Sequence, residues 1–490
     1  MPKRPVNQWK TLDKDLRKIG RLEEATQFVS RPLVAPGIAL AFIVLAGVAA
    51  AMLMGIQPVN LLVIAAAVIG AYMALNIGAN DVANNMGPAV GANALTLGGA
   101  LIIAATFETA GALIAGGDVV KTVSTGILAP DAVPGSAQFI WAMMAALLAA
   151  ALWLNLATAL GAPVSTTHSI VGGVVGAGIA AAGFGAVNWP AIGAIAASWV
   201  ISPVLGGMIA AAFLALIKAK IMYVEDKIAA ARFWVPILIG IMAGAFAAYL
   251  AIKGLKRIVD IGLAEALLIG LGVGIASWFA SVPMIRRQSE GMENRKKSLR
   301  KLFGVPLVVS AALLSFAHGA NDVANAVGPL AAIVHTIEAG DIATNVDIPT
   351  WVMIVGALGI SVGLVLFGPK LIRLVGSEIT KLNPMRAYCV ALSAAITVIV
   401  ASWLGLPVSS THIAVGAIFG VGFFREWHSE RRARKLGLSK GKPVPPEERS
   451  RRKLVRRSHF LTVAAAWVVT VPASALLSAV LYLVLNAMGG

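Results

Sequence analysis

Two near-identical stretches hold the most chemically demanding residues of the chain. Gly78-Ala-Asn-Asp-Val-Ala-Asn84-Asn-Met-Gly87-Pro88 is matched by Gly319-Ala-Asn-Asp-Val-Ala-Asn325-Ala-Val-Gly328-Pro329. Asp81 and Asp322 lie in apolar surroundings, where an ionised carboxylate costs several kcal/mol, so each demands a cation or a proton. Asn80 and Asn84, like Asn321 and Asn325, stand four residues apart and share a helical face beside the aspartate. Carboxylate and amide oxygens together form a hard ligand set suited to Na⁺, and Gly78 and Gly319 would let backbone carbonyls turn inward. The competing reading is helix packing, with small residues in close approach and Asn side chains as interhelical glue. Packing alone gives no reason for a buried aspartate in both copies. Glu108 is a third carboxylate in an apolar run; Ile360 aligns with it in the second half, which leaves it between cation coupling and a structural hydrogen bond.

A second pair of motifs follows in the same order, Gly161-Ala-Pro-Val-Ser-Thr-Thr-His168 and Gly405-Leu-Pro-Val-Ser-Ser-Thr-His412. Proline followed by three hydroxyl residues predicts a helix starting inside the membrane, with Pro163 and Pro407 near the first helical position. The free N–H groups of that turn, with Ser165, Thr166, Thr167 and Ser409, Ser410, Thr411, would form an uncharged, donor-rich cradle for an oxyanion. Ordinary capping accounts for one hydroxyl per copy, not three. An oxyanion in a pocket without Lys or Arg needs charge from elsewhere, and cations at the aspartates would supply it, so the two motifs together imply symport. A phosphate that still carries a proton can donate to a carboxylate or amide acceptor that would repel sulfate. His168 and His412 could relay protons or fix the helix start, and are read as supporting residues.

These motifs need helices that hold them in lipid. The 490 residues are 58% hydrophobic and 13% charged, with mean hydropathy +0.83, a balance outside that of soluble globular proteins. Near-continuous apolar runs such as 141–160 exclude alternating barrel strands. About thirteen spanning or half-spanning segments are expected, starting near residues 33, 59, 98, 138, 169, 190, 233, 261, 303, 352, 386, 413 and 460. With the N-terminus in the cytoplasm, the basic loops 218–232, 286–301 and 425–457 fall inside, and Glu338, Asp341 and Asp347 fall outside with loop 117–137. The loop with Lys253, Lys256 and Arg257 fits poorly. The net charge of +17 is thus a topology signal, not a nucleic-acid site. Lys121 and Arg373 align near helix ends, where snorkelling is the ordinary explanation. Cys389, without a partner in the chain, reads as core filler.

The organisation expected is a basic tail, 1–32, read as cytoplasmic and not as a cleavable leader; an additional spanning segment, 33–57; a first repeat, 58–217; linking segments, 218–302; a second repeat, 303–424; a basic loop, 425–458; and a last helix, 459–490. Gly111 and Gly116 align with Gly363 and Gly368, so a whole unit is duplicated. Seven segments, an odd number, separate the two copies, so equivalent helices run in opposite directions. The fold class is an all-α polytopic membrane protein, an inverted-repeat secondary transporter with broken helices meeting near the bilayer midplane.

The paired motifs make the chain resemble the inorganic phosphate transporter (Pit) family from about Val59 to Ala487. The resemblance implies phosphate as substrate, contacted by Ser165, Thr166, Thr167, Ser409, Ser410, Thr411, Asn80 and Asn321. It implies coupling to Na⁺ or H⁺ through Asp81, Asp322, Asn84, Asn325 and Glu108, with Na⁺ at Asp81 and Asp322 favoured by the form of both motifs. No cofactor beyond the coupling ion is implied. Membrane lipid is the expected surrounding partner, in a bacterial-type inner membrane, and a homodimer is compatible with the reading. Two departures bear on cation stoichiometry: Ala326 stands where the first copy has Asn85, and Ala391 is apolar where some relatives have glutamate. A sulfate permease of the same family, an anion channel and a membrane-embedded metal-dependent hydrolase are the alternatives. An ATP-driven pump is disfavoured because no G-x-x-x-x-G-K-[ST] loop occurs.

Overall fold

A computed structural model of the chain describes residues 33–129, 132–160, 164–254, 261–342, 346–378, 382–435 and 457–489. The tail, Gly161 to Pro163, Lys256, Arg257 and most of the basic loop before Arg457 lie outside the described residues. Among those described, the chain is helical apart from an isolated bridge between Leu128 and Val187. In chain order the helices are α1 Leu33–Met54, α2 Asn60–Gly91, α3 Leu97–Ala115, α4 Gly117–Thr125, α5 Ser136–Leu160, α6 Thr166–Ala182, α7 Trp189–Ile217 and α8 Lys227–Lys253. They continue as α9 Leu263–Gln288, α10 Lys296–Leu302, α11 Gly304–Asp322, α12 Ala324–Ala339, α13 Thr350–Glu378, α14 Pro384–Trp403, α15 Ser410–Lys435 and α16 Arg457–Gly489.

Among the described residues, eleven spans are long and apolar enough to cross a membrane, with α11 and α12 forming one of them; α6 is a shorter apolar helix. Each expected segment start falls on a helix or within two residues of one. In hydrocarbon every backbone N–H must be satisfied within its own segment, which is why runs of Ala, Leu, Ile and Val with few charges become helices and nothing else. The span that carries the second copy of the first motif is the most enclosed of the eleven. The span Gly304–Ala339 is 89% buried in its apolar window, against 17% for Leu263–Gln288.

The two copies run in opposite directions. Gly70 of α2 meets Leu330 of α12, while Asp81, further along α2, lies beside His318 of α11. Each first-motif helix also has a parallel partner from the opposite half. Gly359 lies against Ala71, Gly363 against Leu75 and Gly368 against Val82, which sets α13 parallel to α2; Gly111 lies against Phe316 and Gly116 against Val323, which sets α3 parallel to α11. Continuity differs between the copies. The first motif runs through an unbroken α2, whereas α11 ends at Asp322 and α12 begins at Ala324, where the Val323 N–H closes a turn onto the Gly319 carbonyl.

Glycine is required at these crossings because backbone touches backbone. A Cβ on Gly319 would collide with the main chain of Glu108, and one on Gly78 with the carbonyl of Ile360. Gly319→Ala is therefore expected to cost about 1–3 kcal/mol by overpacking, seen as a lower thermal midpoint of the detergent-solubilised protein. An unchanged midpoint would show that the crossing can widen freely.

The last helix of each half packs on the other half. α7 crosses α15 where Gly207 meets Gly416 and Gly420, and α16 crosses α6 where Gly172 and Gly176 meet Val471 and Ala475.

Candidate functional site

Asp81 and Asp322 come from antiparallel helices and face one another across a single imidazole. His318 Nε2 lies 2.8 Å from Asp322 Oδ2 and 3.8 Å from Asp81 Oδ2, and its Nδ1 lies 3.3 Å from Glu108 Oε2. All four residues are buried. One ligand atom from each of Asp81, His318 and Asp322 falls within a common 4.8 Å. Among the described residues, His318 is the one basic side chain at ion-pair distance from these carboxylates. An imidazole carries one positive charge at most, so the cluster is an acidic site that needs protons or cations from outside.

The hydroxyl motifs close the site from its two sides, and they do so crosswise. Thr411, from the second half, donates to Asp81 Oδ1 at 3.0 Å and accepts from Asn84 Nδ2 at 2.7 Å, both of the first half. Asn325, from the second half, donates toward Thr166 and Thr167 of the first at 3.4 and 3.3 Å. Ser410 donates to Asp322 within its own half at 3.2 Å. Thr167 also donates to the Val408 carbonyl at 3.0 Å, so the starts of α6 and α15 touch.

The helix starts differ in detail from expectation. Ser165 and Ser409 take the capping position, accepting from the N–H groups of His168 and His412 at 3.1 and 3.2 Å. Their hydroxyls thus serve the helix ends. Pro407 precedes that cap in extended chain and is not in the first turn, because Ser409 must adopt the non-helical conformation of a capping residue. Thr166, Thr167, Ser410 and Thr411 then occupy the first turn, where backbone N–H groups have no intrahelical acceptor. The two imidazoles after them stack edge to face, with centroids of His168 and His412 4.3 Å apart, and Trp199 lies 3.8 Å from His168. The Trp199 Nε1–H donates to the Pro407 carbonyl at 3.1 Å.

Asn80 and Asn321 point away from this centre. Asn80 donates to Thr158 Oγ1 at 3.0 Å. Asn321 donates to Ser402 Oγ and the Leu406 carbonyl and accepts from Val408 N–H at 3.1 Å, splinting the approach to the second hydroxyl motif. The i, i+4 spacing that puts Asn80 and Asn84 on one face is satisfied, yet their amides separate because each finds its own hydroxyl partner. Cys389 is buried, in line with a packing role.

His318 escaped the motif reading because it sits one residue before the repeated run. A signal for it exists in the alignment of the repeats. Three positions break the symmetry there: Glu108 against Ile360, Asn85 against Ala326, and His318 against Ile77. All three polar members meet in space, Asn85 donating to Glu108 Oε1 at 2.8 Å and Glu108 reaching His318. One helix crossing is polar, and its pseudo-symmetric counterpart, Gly78 on Ile360, is apolar.

An inverted pair of helical repeats, meeting at buried acids and crossed hydroxyl helices, defines a polytopic membrane transporter. The model of the phosphate transporter family matches residues 77–478. The chain is 45% identical to a "Putative phosphate permease" of Helicobacter pylori strain J99, over 96% of this chain and 99% of that protein. It is 36% identical to one of Thermococcus kodakarensis, over 86% and 97%. A solved structure described as "The sodium-dependent phosphate transporter" superposes with a TM-score of 0.78 at 34% identity, covering 87% of this chain and 99% of that one. The chain belongs to the phosphate transporter family.

Proposed function

We propose that the chain carries inorganic phosphate across a cell inner membrane by alternating access, coupled to Na⁺, with its N-terminus in the cytoplasm. The observation that carries this reading is a set of buried oxygens without hydrogen-bond partners around the centre: Asp81 Oδ2, Asn85 Oδ1, Asp322 Oδ1 and Asn325 Oδ1. Buried acceptors that no protein donor satisfies suit a hard cation bound by oxygens. The donors for the anion are supplied separately, by the first-turn N–H groups of α6 and α15 and the hydroxyls of Thr166, Thr167, Ser410 and Thr411. Thr411 joins the two functions. In the structure it donates to Asp81; a cation at Asp81 would take over that oxygen and turn the hydroxyl to the anion.

Positive charge at the aspartates is a condition for the anion to enter, since phosphate beside unneutralised carboxylates would be strongly repelled. Each extra cation moved inward through the membrane potential adds about 2.3 kcal/mol per 100 mV to the driving force. The printed description of the structural relative, a sodium-dependent phosphate transporter, supports the same ion.

Purified protein in liposomes should take up labelled phosphate saturably under an inward Na⁺ gradient, and excess sulfate should not compete. Uptake driven equally by a proton gradient without Na⁺ would replace the coupling ion. Full competition by sulfate would replace the substrate.

A further inference from the structure

We propose that a fissure between α1, α2, α5 and α13 is the hydrated vestibule through which phosphate reaches Asn80 from the membrane face where α1 begins, with Lys370 drawing the anion into its mouth. The inference rests on the transport reading above and adds a route and an anion-attracting residue to it.

The fissure has a volume of about 450 Å³ and is lined by Tyr72, Asn76, Asn155, Thr158 and Lys370 among apolar neighbours. Pro36, near the start of α1, and Thr158, near the end of α5, also line it, which fixes the face toward which it opens. Polar groups lie along it, with Thr158 and Asn80 nearest that face and Asn155, Asn76 and Tyr72 further in. Asn155 donates to Asn76 Oδ1 at 3.4 Å, Asn76 donates to the Tyr72 carbonyl at 2.8 Å, and Thr158 accepts from Asn80 at 3.0 Å. Asn80 is 3% exposed, its Oδ1 has no hydrogen-bond partner, and its chain neighbour is Asp81. Amides are expensive in hydrocarbon and are tolerated where they line water.

The repeat supplies an internal control. The positions matching Asn76, Asn155 and Lys370 across the repeat are Ala317, Ile399 and Asp118. There, the equivalent space is filled by α8. Tyr249 and Phe246 pack edge to face on Phe316, Lys253 is ion-paired with Asp118, an apolar cavity is lined by Leu313, Ile399 and Trp403, and a neighbouring one is lined by the Asp118–Lys253 pair. Because the repeat is inverted, the two equivalent spaces face opposite sides of the membrane. The first carries two amides, a hydroxyl and Lys370 where the second carries apolar residues and an ion pair.

The test uses the full-length protein with Cys389→Ser as background, Asn155→Cys as probe, and Leu33→Cys, exposed at the start of α1, as marker of the face. A charged, membrane-impermeant thiosulfonate should modify Asn155→Cys from the same side as Leu33→Cys, and phosphate should slow that modification. Lys370→Glu should raise the KM for phosphate offered on that face about fivefold, and Lys370→Arg should restore it. Modification from the opposite face, none in protein that elutes monodisperse, or a KM indifferent to the charge at 370 would overturn the vestibule. Phosphate uptake by the parent protein is measured alongside. Uptake without labelling overturns the vestibule alone, whereas absence of uptake in the parent overturns the transport reading.

Discussion

Asp322→Asn is expected to cut gradient-driven phosphate uptake by about a hundredfold or more, because removing one charge from a buried, paired set costs about 3–5 kcal/mol and each 1.4 kcal/mol is tenfold. The substitution keeps the shape and an oxygen able to accept from Ser410, so the effect falls on charge. Asp322 is fully buried and contacts both His318 and the second hydroxyl helix. An amide offers an oxygen but no charge, so a cation is held less tightly there and the anion loses the charge that admits it. The protein should still insert and elute as a folded species, with uptake lost. Uptake equal to that of the parent would remove Asp322 from the coupling scheme.

The second large effect concerns the polar crossing. His318→Ile alone leaves Glu108 and Asp322 buried without their basic partner, and a loss of about 3–5 kcal/mol in stability follows. Adding Glu108→Ile and Asn85→Ala rebuilds the arrangement already present at the other crossing, where Ile77, Ile360 and Ala326 occupy the matching positions. The triple variant should therefore recover the part of the loss that comes from Glu108 and Asn85, while Asp322 keeps only its contact with Ser410. Thermal midpoints in detergent measure this directly. A triple variant no more stable than His318→Ile would mean that the three residues do not act as a unit. Where the triple variant folds, its uptake should show a weaker dependence on Na⁺ concentration.

How much of this was legible beforehand follows from the kind of signal each part leaves. Apolar length gave the helices, and the odd number of segments between copies gave the inversion, because both are properties of sequence order. The aspartates, Asn84 and Asn325 were legible because a buried polar group repeated twice needs a partner. The partners themselves were not, since Thr411 reaches Asp81 across 330 positions. Helical spacing places Asn80 and Asn321 beside Asn84 and Asn325, and the resemblance implies that they contact phosphate, yet in the structure Thr158, Ser402 and Val408 engage their amides. Helix periodicity fixes a face and says nothing of which neighbour occupies it. His318 was hidden because attention went to what the repeats share, while its role lies in what they do not.

The exchange of last helices sets a clock on synthesis. α6 ends at Ala182, but α16, whose backbone it meets at Gly172 and Gly176, begins at Arg457. At about 5–20 residues per second, the first half waits on the order of tens of seconds in the membrane with that glycine seam facing lipid or an insertion factor. α15 finds α7 already in place and has no such delay. A ribosome stalled before Arg457 would therefore leave the first hydroxyl helix unsupported while the second is already seated, and degradation of such stalled chains should begin around α6.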